Sequence, residues 1–228
     1  MRDFDGTDDN IAFGSDASID GYTTLTYSLW SAHDALAADT LIGKEAGDAQ
    51  TGSGFYWDGI VTGDLTFAYD FTNTLGVWRT GDVHNDDGVW HHVAVTYDRS
   101  STANVPIIYI DGTKPTITTT QAPVGTSESD TAQTLRAGEE ANGSQDLDGR
   151  MAFLCYDDAI WTDADVNRAR WWGRPFGGIQ VYHPLMTNKL TNEGAATANG
   201  TATGTTNVGA AIPVVRPGMA MMGMGIGW

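Results

Sequence analysis

The chain of 228 residues carries 29 acidic and 12 basic side chains, a formal charge of −17, with 28 glycines, 10% aromatics and one cysteine. Such a charge repels phosphate backbones and anionic headgroups, which argues against nucleic-acid and membrane-surface partners and leaves divalent cations, neutral glycans and basic proteins. A lone Cys155 excludes an intrachain disulfide, and no apolar run approaches the ~20 residues that span a bilayer, so no membrane insertion is expected.

In chain order, the opening MRDFDGTDDN has no apolar stretch of the signal-peptide kind, so a chain without a signal peptide is expected. It does hold an acidic turn with Asp5, Asp8 and Asp9. TLTYSLW alternates Leu25, Tyr27 and Leu29 against Thr24, Thr26 and Ser28, which predicts a strand. GFYWDG sets Tyr56 and Trp57 beside a turn, LTFAYDF alternates Leu65, Phe67, Tyr69 and Phe71, and VWRTGD sets Trp78 beside a loop. Aromatics at loops stack on sugar rings, so Tyr56, Trp57 and Trp78 are glycan-binding candidates, with core packing as the competing use. DVHNDDG reads as a hairpin turn. In VWHHVAVTYD, Val93, Val95 and Tyr97 alternate with His92, Ala94 and Thr96; adjacent His91 and His92 face opposite sides and cannot share a metal ion. Asp111-Gly112 between two strand-like runs is a hairpin signal.

A second acidic turn, ANGSQDLDG, supplies Asn142, Asp146 and Asp148. Asn142-Gly143-Ser144 and Asn199-Gly200-Thr201 match a glycosylation pattern that matters only on a secretory route. In MAFLCYDDAIW, Cys155 reads as a small buried hydrophobe. WTDADVNRARWW predicts one short helix near 163–172: Thr162 caps it, Asp165 completes a capping box, and Arg168 and Arg170 suit its negative end. Residues 177–213 are rich in Thr, Ala, Gly and Asn, and residues 214–228 hold four of the seven methionines and a terminal tryptophan. Period-two runs separated by turns specify an all-β, antiparallel sandwich.

Three segments carry a family resemblance: FDGTDDNIAFGSDASIDGYTTLTYSLW, then DGVWHHVAVTYDRS with IIYIDGT, then LDGRMAFLCYDDAIWTDADV. In this order they resemble the laminin-G-like branch of the concanavalin A-like lectin/glucanase jelly rolls, over residues 3–172. The resemblance implies a jelly-roll β-sandwich over 1–176. YHPLMTNKLTNEGAATANGTATG resembles the segment that usually precedes Phe-Asp-Gly in this family, yet here it comes last. Three explanations stand open: a permuted strand order in which 177–213 completes the sandwich, pairing with a neighbouring chain, or a truncated second module.

Ca²⁺ is the one cofactor in view, because a hard cation takes six to eight oxygens from loop carboxylates, amides and carbonyls. Asp5, Asp8, Asp9, Asn142, Asp146 and Asp148 are the candidate ligands. Against this, Ala152 and Phe153 stand where the family carries an acidic pair. The related glucanases carry Glu-x-Asp-x-x-Glu on one strand, and no such run exists here, so a non-catalytic protein is expected. The leading expectation is a virion surface protein, such as a bacteriophage capsid decoration protein or tail adhesin, assembled in the host cytoplasm. It would dock on neighbouring copies or a major shell protein through Val214, Val215, Met219, Met221, Met222, Met224, Ile226 and Trp228, and touch cell-surface glycans. A soluble, calcium-assisted carbohydrate-binding module is the alternative, and a glucanase-type hydrolase a weaker one.

Overall fold

The computed structural model describes residues 1–34, 37–46, 51–58, 63–83, 88–131, 133–173, 179–185 and 193–207. Its strands are β1 (Arg2–Asp5), β2 (Asn10–Gly14), β3 (Thr24–His33), β4 (Ala38–Lys44), β5 (Ser53–Asp58), β6 (Asp64–Tyr69), β7 (Gly76–Asp82) and β8 (His91–Asp98). They continue with β9 (Ile107–Ile110), β10 (Thr118–Gln121), β11 (Leu135–Ala137) and β12 (Asp148–Asp157). After the helix α1 (Asp163–Trp172) come β13 (Val181–His183), β14 (Thr201–Thr203) and β15 (Thr206–Asn207). One sheet runs β15-β1-β12-β3-β8-β9, with β13 also on β12; the other runs β10-β7-β6-β5-β4-β11-β2-β14. Their pairings are antiparallel, and the two sheets form the predicted jelly-roll sandwich.

The period-two pattern sets the core. Leu25, Tyr27 and Leu29 of β3 join Val93, Val95 and Tyr97 of β8 in one cluster with Phe55, Leu65, Phe67 and Tyr69 from the opposite sheet. Full burial of such a side chain is worth about 1.5–3 kcal/mol. The polar faces of β3 and β8 are not solvated, however. Ala94, Tyr109 and Cys155 lie under Trp161, Val166 and Ala169, so the helix and the turn before it cover this sheet from outside. Small side chains at Thr26, Ser28 and Ala94 leave room for that cover. The Thr26 hydroxyl donates to Ala159 O at 2.6 Å, and Ser28 Oγ lies 3.0 Å from His92 Nε2.

Two hairpin expectations are corrected. At Asp111 (φ 51°) and Gly112 (φ 78°) a tight turn does form, closed by reciprocal 2.9 Å bonds between Ile110 and Thr113. The hairpin goes no further: Pro115 has no N–H to donate, and the chain crosses to the other sheet, where β10 pairs with β7. DVHNDDG likewise joins β7 to β8, which belong to different sheets; its residues 84–87 lie outside the described residues.

The described part of the C-terminal segment pairs with its own chain. Val181–His183 runs against Leu154–Tyr156, Thr201–Thr203 against Asn10–Ala12, and Thr206–Asn207 against Arg2–Asp3. β14 and β15 thus belong to different sheets, joined through Gly204 (φ 72°), where a Cβ would fall 1.6 Å from Asp9 Oδ1. Val214, Val215, Met219, Met221, Met222, Met224, Ile226 and Trp228 lie outside the described residues.

Candidate functional site

Asp5 ends β1 opposite Asp148, the first residue of β12. The following turn folds back because Asp5 Oδ1 accepts the Thr7 N–H at 3.1 Å and Asp9 Oδ2 accepts the Asp5 N–H at 2.8 Å. Carboxylate oxygens of Asp5, Asp8 and Asp9 consequently lie within 4.8 Å of one another; Asp5 and Asp8 are exposed and Asp9 is buried. Asp146, in the turn before β12, lies near enough to feel the charges of Asp8 and Asp5. Burial pushes its carboxyl up, and the charges of Asp8, Asp39 and Asp5 add to that shift. Its Oδ1 is shielded from solvent without a hydrogen-bond partner.

Two further acids belong to this rim, and neither was singled out from the sequence as a ligand. Glu139 is pushed up by burial and by Asp146, although Asn10 Nδ2 donates to its Oε2 at 2.7 Å. Asp39 of β4 is fully buried, with Oδ2 2.9 Å from His33 Nδ1, and burial pushes its carboxyl up against the pull of that histidine. Both reach the rim through pairings distant in sequence, so no local spacing marks them. Asn142 stands apart from the Asp5–Asp9 cluster in its contacts: it is exposed, and its Oδ1 accepts the Ser144 hydroxyl at 2.7 Å.

The donor chemistry fits a hard divalent cation. Burial first and neighbouring carboxylates second push Asp9 and Asp146 up, and Asp146 has an orphaned buried oxygen, a donor set that suits a Ca²⁺-like ion. The positions that replace the family's acidic pair supply nothing here. Ala152 is fully buried beside Met1 and Trp30, and Phe153 (φ 53°) sits where the β12–β3 register shifts, its ring against Gly173 at the end of α1.

The predicted glycan-stacking residues are largely corrected. Trp57 is 2% exposed and Trp78 0%, both in the core between the sheets, so neither offers a face to a sugar. In a seven-residue strand the loop is close in sequence, but Trp78 points inward because β7 pairs with β6, setting it opposite Phe67. Tyr56 points the other way, half-buried on the outer face of the eight-stranded sheet near Arg79, Asp58, Glu45 and Glu140. Glu45 and Glu140 are both buried there; the Glu45 carboxylate lies over Gly43 and Gly54, and Glu140 Oε2 accepts the Ser144 hydroxyl at 3.0 Å.

Among the described residues no helix is long and apolar enough to cross a membrane. The family model for the concanavalin A-like lectin/glucanases superfamily matches residues 5–166. No curated protein matches the chain. Of solved structures, a candidate carbohydrate-binding protein from Bacteroides ovatus superposes with a TM-score of 0.66 at 17% identity, over 94% of this chain and 62% of that one. The chain therefore spans under two thirds of that protein's length. Domains LG4-5 of the mouse laminin alpha1 chain give a TM-score of 0.52 at 14% identity, over 77% of this chain and 44% of theirs. The CBM40 of the Ruminococcus gnavus IT-sialidase gives 0.51 at 11% identity, over 73% and 96%. These likenesses are likenesses of fold.

Proposed function

Because the chain belongs to the concanavalin A-like lectin/glucanases superfamily, we propose that it is a non-catalytic carbohydrate-binding protein with a Ca²⁺ site on its acidic rim. The observation that carries the reading is that rim, at the loop end of a lectin-type sandwich: Asp5, Asp8 and Asp9 converge within 4.8 Å, and nearby Asp146, under the charges of Asp8 and Asp5, has a shielded oxygen without a partner. These four carboxylates would hold the ion. When bound, it supplies two positive charges that cancel their repulsion and tie the β1–β2 turn to the turn before β12. Asp9 already fixes the Asp5 backbone, and Gly204 lets the β14–β15 connection pass against Asp9. The names of the Bacteroides ovatus and Ruminococcus gnavus proteins support carbohydrate as the ligand class. The non-catalytic part rests on the sequence, which lacks the paired-carboxylate run of the related glucanases.

Calcium titration followed by calorimetry and thermal unfolding tests the rim. Ca²⁺ should raise the melting midpoint of the wild type and fail to do so for the Asp8→Asn, Asp146→Asn double variant. A glycan array with and without chelator tests the ligand class; no binding in either condition would end the carbohydrate reading. Incubation with oligosaccharides should release no products, and hydrolysis would replace the non-catalytic reading with the glucanase one.

A finer reading places the protein on a virion or comparable shell, docked through residues 214–228. Its support is compositional: methionines fit irregular apolar gaps, glycines permit close backbone approach, and Trp228 is an interface-type residue. Quantitative proteomics of purified particles should find many copies, and deletion of Met219 to Trp228 should remove them while the sandwich still folds. Absence from particles would leave the carbohydrate-binding reading without this location.

A further inference from the structure

At the end of the strands away from the acidic rim, the turn after β6 and the segment before β11 line an open surface groove of about 450 Å³ that no sequence motif marked. The acidic rim gathers where β4 begins, near Asp39; the groove opens where β4 ends and β6 runs into Asp70. Its volume lies in the range of ligand sites.

Its walls are fixed. Phe71 bridges to Ser127 and Thr74 to Val124, and backbone bonds Thr72 N to Thr126 O (2.9 Å), Val124 N to Thr74 O (3.0 Å) and Glu128 N to Asp70 O (3.1 Å) zip the two segments together. Gly125 (φ 106°) has no room for a side chain, since a Cβ would lie 2.2 Å from Thr72 Oγ1. The third wall is Thr51, a β-branched residue held at φ 65°, where its N–H donates to Asp70 Oδ2 at 2.7 Å. A left-handed threonine is uncommon and persists only when its surroundings over-determine it.

The groups on these walls are available. Among the described residues, the side chains of Asn73, Gln121 and Glu128 line the groove without a hydrogen bond or ion pair. The two amides each present donors and an acceptor, and the Glu128 carboxylate presents acceptors only. Leu75 adds apolar lining, and among the described residues no lysine, arginine or histidine lines the groove. Behind it, the Arg99 guanidinium is buried and satisfied by Tyr22 O, the Tyr69 hydroxyl and Glu128 O. A ligand here must therefore bring hydroxyl donors and acceptors, tolerate an apolar contact and carry no negative charge, since Asp70 and Glu128 repel anions.

We propose that this groove between Thr51, Asp70–Leu75, Gln121 and Glu128 is a binding site for uncharged saccharides. The proposal rests on the carbohydrate-binding reading and names its site and charge class. The test is a glycan array of the full chain carrying neutral and sialylated oligosaccharides, then calorimetry with the best neutral oligosaccharide on Asn73→Ala/Gln121→Ala and Glu128→Gln. These are surface substitutions, and unchanged melting midpoints confirm that the variants fold. Neutral oligosaccharides should bind and sialylated ones should not; the double variant should weaken binding about tenfold or more and Glu128→Gln about fivefold, the scale of lost hydrogen bonds. Binding to no oligosaccharide overturns the carbohydrate reading itself. Neutral binding that survives all three substitutions leaves that reading standing and overturns the groove, and preference for sialylated ligands overturns the charge selection.

Discussion

Lys44 Nζ lies 2.6 Å from Asp20 Oδ1, and no part of the lysine side chain is exposed. The ammonium also donates to Asp130 O at 2.6 Å and stands 3.8 Å from Asp130 Oδ2. A lysine at the end of β4 would read as a solvated edge residue, yet it ties two distant loops to the sheet. Lys44→Met keeps the stem and removes the charge, leaving the 2%-exposed Asp130 side chain without its cation. The expected loss is about 3–5 kcal/mol in urea unfolding. A loss below about 1 kcal/mol would mean that water replaces the ammonium and the pair holds nothing.

Trp78 stacks with Phe67 at 6.1 Å between ring centroids and lies 5.1 Å from Tyr97, while Gly76 leaves its ring the space that a Cβ would occupy. Trp78→Ala should therefore cost about 3–5 kcal/mol in chemical denaturation. A glycan array repeated below the variant's unfolding range should show the wild-type pattern. Altered specificity in a folded variant would restore Trp78 as a binding residue.

The capping box of α1 offers a smaller, local test. Thr162 Oγ1 accepts the Asp165 N–H at 3.4 Å, and Asp165 Oδ2 accepts the Thr162 N–H at 3.0 Å. Thr162→Ala should lower stability by about 1 kcal/mol. Because Val166 and Ala169 cover Ala94 and Cys155, the loosened helix should also raise the reactivity of the buried Cys155 thiol toward a thiol reagent. Unchanged labelling would mean that the helix stays docked by packing alone.

What the sequence disclosed follows how local each signal is. The capping box spans four residues and was legible in full. The alternation of Leu25, Tyr27 and Leu29, or of Leu65, Phe67 and Tyr69, was legible because one face of each strand meets one core. The fate of Trp57 and Trp78 was not, since an aromatic beside a turn satisfies both a core and a binding surface until strand register decides. Nor does local chemistry decide that the Asp111-Gly112 turn closes without a hairpin, because β10 is claimed by β7 across the sandwich. At the rim, Asp5, Asp8 and Asp9 are near in sequence and were readable together. Asp39 and Glu139 join only through tertiary folding, and the groove is assembled from residues as far apart in sequence as Thr51, Asp70 and Glu128.

Acid stability follows from two buried histidines. His92 and His183 are each 1% exposed, and burial lowers their proton affinity from the ordinary 6.5 to about 3 and about 4. Below pH 6.5 the unfolded chain takes up protons at these rings while the folded chain does not, so stability falls as pH drops. The loss is up to about 1.4 kcal/mol per pH unit for each histidine, until the folded values are reached. Buried Asp39 and Asp157 act in the opposite sense: their raised affinities let the folded chain bind protons first as pH falls through the upper carboxylate range, which softens the decline there. Urea unfolding between pH 6.5 and 5 should therefore show the histidine slope most cleanly. Replacing His183 with Asn should remove about one proton from that slope, and an unchanged slope would place the acid sensitivity in other groups.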